Sequence, residues 1–311
     1  DLGRRGPLAG AVPGRHPVHR AEAEVPHHRH VEERARAAGV RLRPRTRGEV
    51  RETRARPNGE LARCLDVLLG ERLGDRRDGV VLETVDLLVG RFEPSRPMSD
   101  ADFAAARAKV EAEIARHPSE MHRTVLTKML EGVAATLRTN FFLPDRFALC
   151  LRIDPVYLAN GDRPEKPYAT FFVHGRQFDG FHNRFQDIAR GGLRVIRTQN
   201  AAQHTRESER LFDEVYGLSW AQQLKNKDIP EGGAKAAILL EPESDITRCV
   251  KSFVDSLLDL ITDDPATRKA IVDRFGTREL IYLGPDENIT PAHRSEEHTS
   301  ELQSQFRISY A

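Results

Sequence analysis

The chain has 311 residues, 39% of them apolar, which is enough for a core and for one or two domains. Formal net charge is +1, which excludes any whole-chain argument for nucleic-acid or membrane binding. The three cysteines, Cys64, Cys150 and Cys249, are far apart with no CxxC pair, so reduced thiols in a cytosolic-type compartment are expected rather than a disulfide framework.

The near-neutral average hides a split. Residues 1–56 hold 14 Arg against 7 acidic residues and 5 of the 12 His, and no Phe, Trp or Tyr precedes Phe92. Such a segment buries too little apolar surface to offset its ordering entropy. Disorder or out-of-frame translation of a GC-rich gene is the expectation for residues 1–58, ahead of a basic nucleic-acid-binding arm. His27, His28 and His30 fall in this stretch and are read as noise, so no metal is expected. There is no apolar run of membrane-span length and no hydrophobic signal core, and Glu22, Glu24, Glu32 and Glu33 argue against a transit peptide.

Patterning begins near Leu61. Residues Leu61–Leu73 and Val80–Val89 suit short helices. Ser99 opens a helix whose Phe103, Val110 and Ile114 share a face, and Ser119 caps another bearing Met121, Val125, Met129, Val133 and Leu137. Residues 59–143 therefore form a helical region. Beyond Pro144 the period becomes two: Phe147, Leu149, Leu151 and Ile153 alternate as a half-buried strand, with Tyr168–Val173 and Phe181–Ile188 as neighbours around an Asp179-Gly180 turn.

A helix from Arg206 to Leu224 follows, with Leu211, Val215, Leu218 and Gln222 on one face. Ala236–Leu240 reads as a buried strand. Val250, Phe253, Val254, Leu257, Leu258 and Ile261 define the most amphipathic helix, and Glu279–Leu283 is a last short strand. Interleaved strands and helices make 144–293 an α/β layer domain. From Arg294 the chain reads RSEEHTSELQS, which resembles a translated sequencing adapter, so 294–311 are set apart from the fold.

The chemistry concentrates between Phe181 and Leu240. Two cationic glycine turns, Ala189–Arg194 and Pro230–Lys235, flank the helix that runs into Lys225-Asn226-Lys227. Glycine pairs let backbone amides approach an anion, and Arg190 and Arg194 can fork onto carboxylates. Only 8 of 48 basic residues are Lys, yet 3 of the 8 fall between Lys225 and Lys235. Unlike arginine, a lysine amine can be brought to its neutral form by burial and neighbouring charge. Asp286 follows a Pro at a strand end, where α/β sheets gather ligands. His174 and His182 are read as packing or hydrogen-bonding residues.

The ordered series GFHNRFQDIARGGLR, SWAQQLKNKDIPEGGAK and ELIYLGPDEN, with ATLRTNFF ahead of it, resembles the large NAD-specific glutamate dehydrogenases over about residues 120–292. The resemblance implies a mixed-sheet α/β substrate domain of the amino-acid dehydrogenase type, preceded by a helical segment. The Rossmann cofactor domain of the parent is then missing, since no GxGxxG occurs in the chain. It also implies oxidative deamination of L-glutamate to 2-oxoglutarate and ammonia with NAD, by a homo-oligomeric parent of cytoplasmic location, or mitochondrial in a eukaryote. Nucleic acid and membrane are not expected as partners.

By the same resemblance Lys235 matches the catalytic lysine and Asp286 the proton-shuttling aspartate. Lys225 or Lys227 matches the lysine that holds the α-carboxylate, and Arg190 stands where smaller relatives carry another substrate lysine. Gly191, Gly192, Arg194, Gly232 and Gly233 complete the expected substrate set. Ala236-Ala237 follow Lys235 where glycines are usual and are expected to crowd the turn. The alternative is a non-catalytic dicarboxylate-binding module, and the isolated chain is expected to be inactive.

Overall fold

The computed structural model describes residues 79–225 and 231–289. The expectations for 1–58, for Leu61–Leu73, for Lys227 and for the tail from Arg294 lie outside them. Three helices come first: α1 (Gly79–Phe92), α2 (Asp100–Arg116) and α3 (Glu120–Ala135). The Ser99 and Ser119 hydroxyls accept hydrogen bonds from the amides of Asp102 (3.1 Å) and His122 (3.3 Å), so both expected caps form. Phe103, Val110 and Ile114 pack with Val81, Leu87, Leu126 and Leu130 into one cluster. On α3 the expected Val125, Met129 and Val133 pack against this cluster beside the fully buried Leu126 and Leu130, while Met121 is 65% exposed. Leu137 has left the helix, because the chain is extended from Thr136.

Seven strands build one sheet: β1 (Thr136–Thr139), β2 (Ala148–Ile153), β3 (Ala169–Gly175), β4 (Phe178–Arg184), β5 (Ala189–Arg197), β6 (Gly232–Leu240) and β7 (Tyr282–Pro285). Their order is β1-β2-β3-β4-β6-β5-β7. β6 runs antiparallel to β4 and parallel to β5, and β5 is parallel to β7. The fold is thus mixed-sheet α/β preceded by helices. Helices α4 (Ala201–Leu224), α5 (Ile246–Ile261) and the short α6 (Pro265–Lys269) complete it.

Burial on both faces corrects the reading of β2. Ala148 and Cys150 join the core under α5, whereas Leu149 packs with Val85, Leu88 and Phe92 of α1. Phe147 precedes the strand and is 51% exposed. The β3–β4 turn is also displaced. Asp179 and Gly180 lie inside β4, paired with His174 and Val173, and the chain reverses at Arg176-Gln177. Gly180 is needed in the strand because a Cβ there would stand 2.9 Å from both Ile238 and Phe253. Its absence lets α5 settle on the sheet.

β6 is the central strand. Ala236, Ile238 and Leu240 face Val250, Phe253 and Leu257 of α5, and Ala237 and Leu239 face Leu211 and Val215 of α4. Ala236 and Ala237 therefore sit inside a strand, each fully buried, and crowd no turn.

Candidate functional site

Lys235 lies on β6 directly opposite Asn183 of β4, two residues before Ala237. Alternation along the strand puts its side chain on the α4 side. Asn183 is buried there, accepting from the Thr170 hydroxyl (2.7 Å) and donating to Ser219 Oγ of α4 (2.8 Å). Asp286 emerges just after β7, its amide donating to the Leu193 carbonyl of β5 at 3.1 Å. The Lys235 ammonium and the Asp286 carboxylate form an ion pair with side-chain exposures of 12% and 36%.

Both presumed glycine turns are strand openings: Arg190–Arg194 belong to β5 and Gly232–Lys235 to β6. The glycines serve close approach. A Cβ at Gly191 would collide with the Ala234 carbonyl, and one at Gly192 would stand 2.8 Å from Asp286 Cβ. A Cβ at Gly233 would collide with the Ser219 carbonyl and the Gln223 amide of α4. The amides of Gly232 and Gly233 are already bonded, to the Ile188 carbonyl (2.9 Å) and Gln223 Oε1 (2.7 Å). They therefore offer no N–H to an anion, contrary to the sequence reading.

These elements enclose a cleft of about 1040 Å³. Arg190, Gly191, Gly192, Arg194, Lys225, Lys235 and Asp286 all line it, with Gln222 of α4 and Glu231. Gly232 and Gly233 do not; they pack behind it against α4. Arg190 and Lys225 are exposed, and neither takes part in an ion pair or side-chain hydrogen bond among the described residues.

Arg194 is placed differently from the expectation of a free carboxylate fork. Its Nη1 bonds Glu214 of α4 at 2.7 Å, and its Nε lies 3.2 Å from a Glu287 oxygen and 3.8 Å from an Asp286 oxygen. Sequence reasoning missed Glu214 and Glu287. Glu287 adjoins Asp286 in ELIYLGPDEN, and Glu214 shares a helical face with Leu211 and Leu218, three and four residues away.

Desolvation pushes the Asp286 carboxyl upward. The Lys235 hydrogen bond and charge, then the Arg194 charge and the Glu287 amide, outweigh it and hold the carboxyl below its ordinary value. The cleft thus combines two uncommitted cations with a polarised lysine–carboxylate pair, a set suited to an anionic substrate and to proton transfer. Among the described residues no helix is long and apolar enough to cross a membrane.

Residues 109–277 match the family "Bacterial NAD-glutamate dehydrogenase, catalytic domain". The NAD-specific glutamate dehydrogenase of Neurospora crassa is 39% identical over 199 residues, 63% of this chain and 19% of that protein. Glutamate dehydrogenase 2 of Dictyostelium discoideum is 42% identical over 171 residues, 54% of this chain and 16% of that protein. The NAD-specific enzyme of Saccharomyces cerevisiae is 43% identical over 156 residues, 49% and 14% respectively. The chain spans less than a fifth of the length of these relatives. With more than half of its residues matched, the chain belongs to the bacterial NAD-glutamate dehydrogenase catalytic-domain family.

Proposed function

We propose that this chain is the substrate-binding part of an enzyme that deaminates L-glutamate to 2-oxoglutarate and ammonia with NAD. The observation that carries the reading is the pairing of Arg190 and Lys225, two cations without a partner among the described residues, with the Lys235–Asp286 pair in one cleft. Glutamate and 2-oxoglutarate each carry two carboxylates. Two positive groups, one from β5 and one from the end of α4, match that charge and fix orientation. Of the two candidate lysines, Lys225 lines the cleft and is the one proposed to hold the α-carboxylate; Lys227 lies outside the described residues.

NAD, when bound, would supply the acceptor for the hydride of the substrate Cα. The sequence has no GxGxxG, and the residues lining the cleft are assigned in this proposal to the amino acid. From the substrate iminium onward the chemistry falls to this chain. Proton transfer within the Lys235–Asp286 pair leaves a neutral amine beside a carboxylic acid. The amine takes a proton from the water that attacks the iminium carbon. The acid donates its proton to the nitrogen, the Asp286 carboxylate so formed takes the hydroxyl proton as the C–N bond breaks, and ammonia leaves with the ketone formed. General acid–base assistance of this kind contributes roughly 10²–10⁴ in rate.

Calorimetric titration of the 311-residue chain with 2-oxoglutarate tests the binding half. Arg190→Met and Lys225→Met are each expected to weaken binding roughly ten-fold or more, as loss of a charge-assisted hydrogen bond does. Unchanged affinity in both variants would remove these cations from the site.

A further inference from the structure

Arg194 is the cleft cation already surrounded by carboxylates. It sits on β5, two residues past Gly192, and reaches Glu214 on α4 with Nη1 at 2.7 Å. Its Nε is fully buried and makes no hydrogen bond, although oxygens of Glu287 and Asp286 stand 3.2 Å and 3.8 Å away. A buried guanidinium N–H without an acceptor is uncommon, because it forfeits its hydration. Two acceptors are close: the Glu287 oxygen with which it is ion-paired and, slightly farther, the carboxylate now held by Lys235.

The charged groups around Asp286 come from every adjoining element. They are Lys235 on β6, Arg190 and Arg194 on β5, Glu214 and Lys225 on α4, Glu231 before β6, and Glu287 beside it in the chain. Of the cations, Lys235 and Arg194 are in ionic reach of the Asp286 carboxylate, and Arg194 alone of these two is fixed from behind by a second carboxylate.

We infer that Arg194, anchored on Glu214, is a positioning residue that keeps Asp286 in place when Lys235 disengages from it to serve the substrate. This role rests on the proposed reaction, but the geometry behind it does not. Lysine and aspartate in direct contact neutralise each other. If Lys235 turned to a substrate with nothing else nearby, Asp286 would be released into the open cleft mouth. Arg194 Nε, buried and ion-paired but without a hydrogen bond, has Asp286 3.8 Å away and takes the carboxylate over a short path. The bidentate reach of a guanidinium suits this double duty, whereas a single ammonium cannot bond Glu214 and Asp286 in the same fixed geometry. Arg194 is thereby withdrawn from direct substrate binding.

The experiment is a pH titration of the Asp286 carboxyl carbon by ¹³C NMR in the 311-residue chain, with Lys235→Met as the background that mimics the disengaged state. On that background Arg194→Met is expected to move the Asp286 midpoint to higher pH and to broaden its signal, while Arg194→Lys restores the midpoint without restoring the sharp signal. Arg194→Gln serves the same comparison should the Met variant fail to fold. Superimposable Asp286 titrations with and without Arg194 would overturn the role. Calorimetry with 2-oxoglutarate on Arg194→Met in the otherwise unaltered chain gives an independent reading. Affinity held within about two-fold is expected, since no charge-assisted bond to the ligand is lost. A loss as large as that of Arg190→Met would make Arg194 a substrate ligand instead. Absence of 2-oxoglutarate binding in the parent chain would sink the proposed function and leave the NMR comparison standing.

Discussion

Lys235 and Asp286 touch across an intervening strand, over a residue that has no side chain. Lys235 belongs to β6 and Asp286 follows β7, with β5 hydrogen bonded between them. Gly192 is the point of passage, since a Cβ there would lie 2.8 Å from that of Asp286.

Gly192→Ala should therefore displace the aspartate without dismantling the sheet, at a cost on the order of 1–3 kcal/mol. Gly191→Ala should cost more, because its new methyl meets the backbone carbonyl of Ala234 in the adjacent strand. Urea unfolding gives both stabilities, and the Asp286 carboxyl signal reports the displacement. Equal stability of the two variants would show that β5 does not set the spacing.

In the longer enzyme that contains this region, Lys235→Met is expected to lower glutamate deamination by roughly 10²–10⁴ while much of the substrate affinity remains. Steady-state kinetics, with binding measured separately, checks the division. Undiminished turnover would take Lys235 out of the mechanism.

A second charged centre holds the sheet to the segment that delivers β7. Glu279 is fully buried and accepts from Arg184 (2.7 Å), Arg138 (3.0 Å) and Arg152 (3.2 Å). Arg138 also pairs with Asp273 at 2.7 Å, and Arg184 donates to the Leu280 carbonyl at 2.5 Å. Burial pushes the Arg184 guanidinium down, and the Glu279 charge works against that shift. Glu279→Ala leaves three buried guanidiniums short of an anion and is expected to destabilise by about 3–5 kcal/mol. Chemical denaturation measures this; a loss below about 1 kcal/mol would mean that water already satisfies the cluster.

His182 is buried on β4 with neither ring nitrogen bonded, edge-to-face with Phe171 at 5.9 Å. Burial, then the Arg184 charge, pulls it down to about 3. The unfolded chain takes up this proton near pH ~6.5 and the folded chain does not, so stability falls as pH drops below that value. His182→Phe should flatten the decline between about pH 6.5 and 5. Thermal unfolding across that range decides it, and parallel curves for both proteins would refute the assignment.

The apolar framework was legible because periodicity reports it directly. The α5 face and the doubly buried β6 follow from runs such as Val250–Ile261 and Ala236–Leu240. The three arginines around Glu279 were not legible, since a charge in a sequence reads as surface until its partner, more than 90 residues away, is known. The glycine pairs misled for a related reason. Local propensity makes Gly-Gly a turn, whereas Gly191, Gly192 and Gly233 answer to neighbours on other strands or on α4. The cations of the cleft could be named from the sequence, but the division between uncommitted Arg190 and committed Arg194 depends on Glu214 and Glu287.

The ladder on both edges of β6 also sets which length changes the site can survive. A residue gained or lost ahead of Gly232 leaves the side-chain phase of β6 unaltered and the amine on the side of Asp286. The same change between Gly232 and Lys235 would invert the side-chain phase of the strand and drive an ammonium under α5, among Val250, Phe253 and Leu257. Natural variation in this family should accordingly place its insertions ahead of Gly232 and keep the step from there to the lysine constant.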